Sequence, residues 1–136
     1  MEKEIQKVSV VAGVVVKQDG KYLLVQEKKP KVYGLWNFPA GRVDAGDTIE
    51  ETAIKEAKEE TGFDVALVRK IDIFQNLATD PPKHIFEAKI VGGDLHIPED
   101  QLLDVQWFTS EEIQSMKGKL RGEWIIEVLI FFEKSN

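Results

Sequence analysis

The stretch from Ala40 to Phe63, A-G-R-V-D-A-G-D-T-I-E-E-T-A-I-K-E-A-K-E-E-T-G-F, leaves the chain little freedom in how it folds there. Thr48 followed by Glu51 has the spacing of a capping box, in which each side chain accepts from the other residue's backbone N–H. Gly62 stands where a left-handed cap ends a helix, a conformation glycine adopts without steric cost. A helix between them is bounded at both ends before any question of function arises. Ala53, Ile54 and Ala57 give it a narrow apolar stripe whose small residues let it lie close to a sheet. Glu51 and Lys55 stand at i, i+4 in the favourable order.

The same helix carries Glu56, Glu59 and Glu60 within one turn and on one side. Like charges so placed repel by roughly a few tenths of a kcal/mol per pair. A cation relieves that repulsion, and oxygen donors suit Mg²⁺ or Mn²⁺ and not zinc. Glu56 and Glu60 can bite the same ion, with Glu59 beside them to join or to handle a water. Ala40-Gly41 and Gly46 permit the preceding loop to bring backbone carbonyls to the same place. Divalent ions held this way activate water in phosphoryl transfer. A glutamate-rich solvated face accounts for the three carboxylates equally well, and on their own they do not decide.

With 136 residues the chain is expected to form one domain, 1–136, with a real core. Its 43% hydrophobic and 31% charged residues are those of a soluble globular protein. A net charge of −6 argues against sequence-blind binding to a nucleic-acid polymer. It leaves small phosphate-bearing ligands open, because a bound metal inverts the local sign. The absence of cysteine excludes a disulfide, a thiolate nucleophile and Cys-ligated zinc, and suits a reducing interior. M-E-K-E-I-Q-K has no apolar core of signal-peptide length, and the greasiest run, Trp124 to Phe132, is too short to cross a bilayer. The expectation is a cytoplasmic protein with no membrane partner.

Along the chain, Val8–Val16 and Lys21–Glu27 read as strands joined by Asp19-Gly20, a hairpin signal. The near-continuous apolar run places this hairpin mid-sheet between helices. Lys28-Lys29-Pro30-Lys31 reads first as a solvated loop and second as a phosphate attractor. Trp36 and Phe38 are read as core or rim packing, with base stacking on a substrate as the alternative. Asp64–Asn76 alternates as one long or two short strands, His84–Val91 is another, and Ile97–Asp104 is an acidic loop. Val105–Phe108 is a short strand, and Thr109 with Glu112 repeats the capping box. Leu120, Trp124, Val128 and Phe131 follow the helical period, and Ile126 and Ile130 on the other side suggest deep burial or a homodimer contact. Strands mixed with helices imply an α/β layered sandwich with a mixed sheet.

The spacing of the opening stretch resembles the Nudix hydrolase signature, G-x5-E-x7-R-E-U-x-E-E-x-G-U, with U a bulky apolar residue. Gly41 takes its first position, followed at the matching offsets by Asp47, Lys55, Glu56, Ala57, Glu59, Glu60, Gly62 and Phe63. Trp36 and Pro39 before this box, and Val105-Gln106-Trp107-Phe108 with Glu111-Glu112 after it, also agree with the family. The resemblance implies a Nudix-type α/β/α sandwich and Mg²⁺-dependent hydrolysis of a nucleoside diphosphate linked to a further group, by attack of metal-activated water on phosphorus. It implies Glu56, Glu59, Glu60 and the backbone carbonyl of Ala40 as metal ligands. One of these glutamates, or a later-loop carboxylate, would orient the water. Arg42 is either a phosphate contact or a solvated cation.

Three positions depart from the pattern. Asp47 replaces Glu and shortens the reach by one methylene. Lys55 replaces Arg, exchanging a bidentate fork for a point charge and predicting a looser brace. Gln101 stands where many relatives have a loop glutamate, which passes the base role to Asp100, to Glu99 or back to the box. The P-A-G-R-V-D-A-G-D loop, L-W-N before it and Leu120-Arg121 resemble the branch acting on small nucleotides, nucleoside di- and triphosphates or oxidised nucleotides among them. The rival readings are a non-catalytic nucleotide-sensing domain of the same family and an interaction protein with an acidic helix.

Overall fold

The computed structural model describes residues 9–135. The charged stretch 1–7 and Val8 lie outside the described residues. Seven strands form one mixed sheet, β1 (Val11–Gln18), β2 (Lys21–Glu27), β3 (Trp36–Asn37), β4 (Ala40–Arg42), β5 (Phe63–Phe74), β6 (Lys83–Gly93) and β7 (Leu102–Thr109). Among the described residues three α-helices, α1 (Ile49–Thr61), α2 (Ser110–Gln114) and α3 (Trp124–Lys134), and one 3₁₀ turn at Pro30–Val32 accompany the sheet. The main path runs β3-β2-β1-β6-β5, with β4 paired to β1 and β7 to β2. Among the described strands β1 pairs with β6 in parallel and the other strand pairs are antiparallel.

The hairpin turns where expected, with Asp19 at φ 52° and Gly20 at φ 77°, the doubly positive φ of a type I′ turn. Its two strands are central, and their alternate residues serve two separate cores. Ala12, Val14, Val16, Leu23 and Val25 pack under α1 with Ala53 and Ala57. Val15, Tyr22 and Leu24 pack under α3 with Trp124, Ile125, Val128, Leu129 and Phe132. The strand period of two sends successive residues to opposite layers, so a continuous apolar run is what two covers require.

Both capping boxes form. Thr48 accepts from Glu51 N–H at 3.0 Å while Glu51 accepts from Thr48 N–H at 3.4 Å, and Gly62 ends α1 at φ 82°. Thr109 and Glu112 repeat the exchange at the start of α2.

Several boundaries and faces differ from the sequence reading. The first strand runs Val11–Gln18, the single long strand Phe63–Phe74 replaces the choice of one or two, and the last strand begins at Leu102 because it pairs with β2 as far as Glu27. Leu120 is not helical. It bridges to Trp36, whose N–H donates to Lys119 O and whose carbonyl accepts from Arg121 N–H, both at 2.8 Å. Those bonds need extended backbone, so α3 starts at Trp124. Ile54 is 39% exposed, and the buried face of α1 is Thr52, Ala53, Ala57 and Thr61. On α3 the buried stripe reaches Phe132, while Phe131 lies exposed at its edge against Phe74. Ile126 packs partly against the core and Ile130 is 45% exposed, so neither is deeply buried. No helix among the described residues is long and apolar enough to cross a membrane.

Replacing Thr48 with Ala removes the oxygen that satisfies Glu51 N–H and is expected to cost about 1 kcal/mol. Urea unfolding should show a lower midpoint at unchanged slope; an unchanged midpoint would mean the box contributes nothing.

Candidate functional site

The ends of β1, β4 and β6 meet the loops after β2 and before β7 around a cleft of about 990 Å³. One wall comes from α1. Glu60, on its last turn, reaches back to β4, where Ala40 N–H donates to its Oε1 at 2.8 Å. The ladder explains why that N–H is free. Val14 N–H donates to Pro39 O and Val43 N–H to Val10 O, each at about the usual ladder distance. In the antiparallel alternation Ala40 then turns both its N–H and its C=O away from β1, toward the helix.

Gly41, the next residue, faces α1 from directly beneath Glu56. A Cβ there would lie 2.2 Å from the Glu56 carboxyl carbon, so the carboxylate occupies space that any other residue would fill. Both acids are perturbed upward. Burial is the main cause for Glu56, with Glu59 adding to it. Burial also dominates at Glu60, which rises well above the usual carboxylate range despite the Ala40 bond, with Glu56, Glu27 and Glu59 adding repulsion. Two desolvated carboxylates that raise each other, beside a carbonyl turned the same way, form a hard oxygen donor set that fits Mg²⁺ or Mn²⁺.

Glu59 stands apart from them. It is exposed, and no three acidic or histidine side chains among the described residues gather at metal-holding distance. Glu56 and Glu60 thus face the cleft as a pair with Glu59 beside them, one step round the helix toward water.

Lys55 reaches from α1 to the preceding loop. Its Nζ lies 3.7 Å from Asp44 and 3.8 Å from Asp47, all substantially exposed to water. Asp47 foremost, then Glu59 and Asp44, hold its pKa above the usual value.

The other expected residues separate into those the cleft gathers and those it does not. Arg42 lines it and is exposed. Asp100 and Gln101 line it as well, whereas Glu99 opens only onto a separate shallow recess formed by residues 95–100. The Glu99 backbone carbonyl accepts from Lys28 Nζ at 2.6 Å. Lys28 and Lys29 are exposed but lie on the cleft rim, where Lys29 acts on Glu56. Phe38 is excluded as a stacking residue: it is fully buried against Trp124, at 6.2 Å between ring centres. Trp36 packs edge-on to Phe108 at 4.8 Å and does not line the cleft. The residue between them, Asn37, faces the cleft instead, and its buried side-chain oxygen has no partner.

Sequence reasoning passed over Asn37, Glu27, Lys83 and the cleft-facing edge of Trp124. Asn37 carries a local signal, since a polar residue between two core-packing aromatics in a strand must face the other way. Lys83 and Glu27 carry no local signal, because only the pairing of distant strands brings them to the cleft.

In metal-free protein the two raised acids have a definite consequence. Their folded pKa values lie above 4.5, so between those values the folded chain binds protons that the unfolded chain has released. Stability in chelator should therefore fall as pH rises through this window and then level off. Glu60→Gln should flatten the profile in urea titrations; the same slope in both proteins would count against a strained pair.

A family model described as the NUDIX domain matches residues 7–128. "Putative nudix hydrolase 1" of Caenorhabditis elegans is 35% identical over 124 residues, covering 88% of this chain and 34% of that protein. The "Putative 8-oxo-dGTP diphosphatase" of Bacillus subtilis is 34% identical over 96 residues, covering 71% of this chain and 63% of that protein. The chain thus spans about one third to just under two thirds of these two relatives. Among solved structures, a NUDIX hydrolase from Nitrosomonas europaea superposes with a TM-score of 0.84 at 24% identity, covering 95% of this chain and 90% of the other, a likeness of fold.

Proposed function

The chain belongs to the Nudix family, and from that premise we propose that it hydrolyses the diphosphate linkage of a free nucleotide with Mg²⁺ or Mn²⁺. The observation that carries this reading is the pair of desolvated carboxylates, Glu56 and Glu60, held over Gly41 and against Ala40. Glu56, Glu60 and the Ala40 carbonyl would hold the ion, with Glu59 beside them to join or to handle a water. Bound there, the ion would neutralise phosphate charge and lower the pKa of a water, so that its hydroxide could attack phosphorus.

The chain's own residues do the rest. Arg42 meets a phosphate oxygen through its planar fork. Asp100, which also lines the cleft, would accept the proton of the attacking water, a role that Gln101 cannot fill. Asn37 offers its unpartnered oxygen to a donor on the substrate. A cleft of about 990 Å³ suits a small molecule, and the net charge of −6 disfavours a polymer. The similarity to a relative named for 8-oxo-dGTP supports a nucleoside triphosphate, oxidised ones included, among the candidates. The cysteine-free sequence supports work in the cytoplasm.

With Mg²⁺, a nucleotide panel is expected to yield phosphate or pyrophosphate, and chelator or Glu60→Gln should abolish it. Gly41→Ala should displace the flexible end of Glu56 and lower turnover by about a hundredfold, with little change in melting temperature. Thermal stabilisation by nucleotides without turnover would replace hydrolysis by a sensing role.

A further inference from the structure

One group of cleft residues has no part in holding an ion at Glu56 and Glu60. Val11 pairs with Arg42 on one side and with Lys83 on the other. Residues paired across neighbouring strands project from the same face, so Arg42 and Lys83 flank Val11 with backbones roughly 10 Å apart, two strand spacings. That face is the α3 side of the sheet, since Ile85, two residues beyond Lys83, packs in the α3 core. Gly41, one residue before Arg42, faces the α1 side and Glu56.

Lys83 is half-buried there, its Nζ 5.2 Å from the centre of the Trp124 ring. Arg121 is fixed beside it by the bond from its N–H to the Trp36 carbonyl, with Leu120 turned into the core. Burial first, and Arg121 in addition, push the Lys83 ammonium toward deprotonation, while Asp80 opposes them. Asp80 is itself engaged, accepting from Leu77 N–H at 3.1 Å. Among the described residues, Arg42, Lys83 and Arg121 form no salt bridge. Lys83, over the Trp124 ring and donating only to the Pro81 carbonyl at 3.4 Å, and the two exposed guanidiniums of Arg42 and Arg121 at the cleft edge would be relieved by an anion from solution.

We propose that Arg42, Lys83 and Arg121 form an anion subsite on the α3 side of the strand ends, and that it receives the outermost phosphate of a nucleoside triphosphate. The selectivity rests on the hydrolytic reading above; the subsite itself rests on the three cations. Two guanidinium forks and an ammonium match the oxygens of a terminal phosphate, which carries close to two charges near neutral pH. A nucleoside diphosphate sugar ends in a neutral group and leaves the three cations unrelieved. The chain therefore discriminates by charge at the far end of the substrate and not only by its base.

Calorimetry on the whole chain tests both parts. A non-hydrolysable nucleoside triphosphate with Mg²⁺ should bind at least tenfold tighter than the matching diphosphate sugar. Lys83→Gln and Arg121→Gln should each weaken the triphosphate about tenfold more than the sugar. Equal weakening of both ligands, or a preference untouched by either change, overturns the selectivity. Inorganic pyrophosphate titrated without metal or nucleotide examines the subsite alone. Binding that both variants lose supports it even if the chain hydrolyses nothing, and no binding overturns it even if hydrolysis is intact. Circular dichroism of the variants separates a lost site from a lost fold.

Discussion

The bond from Ala40 N–H to the Glu60 carboxylate is the contact on which the working part of the molecule depends. It joins the short strand β4 to the helix α1 across the interval in which the signature residues lie. Its geometry is set from both ends. The ladder with β1 turns Ala40 outward, and the caps at Thr48 and Gly62 fix which way α1 faces when it reaches Glu60. Gly13 contributes from the far side, because a Cβ there would meet the Pro39 carbonyl and the Ala40 side chain at 2.7 Å. Removing the donor would leave a desolvated carboxylate without a partner, a loss of about 1–3 kcal/mol or more for a charged group.

Around that contact the cleft is divided by the sheet. Carboxylates from α1 lie on one side of the strand ends and cations from β4, β6 and the approach to α3 on the other. A net charge of −6 averages this away. The field a phosphate chain meets is set by the local groups, in a cleft where water screens them less than on open surface. The sheet edge thus separates groups of opposite charge within one cleft.

What could be read from the chain was what local chemistry specifies. Thr48-Glu51, Gly62, Asp19-Gly20 and Thr109-Glu112 each form the structure their residues demand, since caps and turns are decided within a few residues. Pairing of distant segments was not legible. Leu120 fits a helical period but joins Trp36, and the facing of Ile54, Phe131 and Ile130 follows from how the helices settle on the sheet. The same division applies to the site. Glu56, Glu60, Ala40 and Arg42 lie in one contiguous stretch and could be named. Lys83 reaches the cleft only because β6 runs parallel to β1, and Phe38 leaves it because strand alternation overrides aromatic character.

The short strand β3 carries a consequence for how such a cleft can change over generations. Trp36 and Phe38 belong to the core side and Asn37 to the cleft, with no side chain shared between the two tasks. A change at 37 can therefore alter what the cleft recognises while the packing beneath is left in place. A change at 38 removes a fully buried ring, and one at 36 a ring packed on the core, so both act on stability first. Three adjacent codons thus face two independent selections, and novelty in substrate choice is channelled through the middle one.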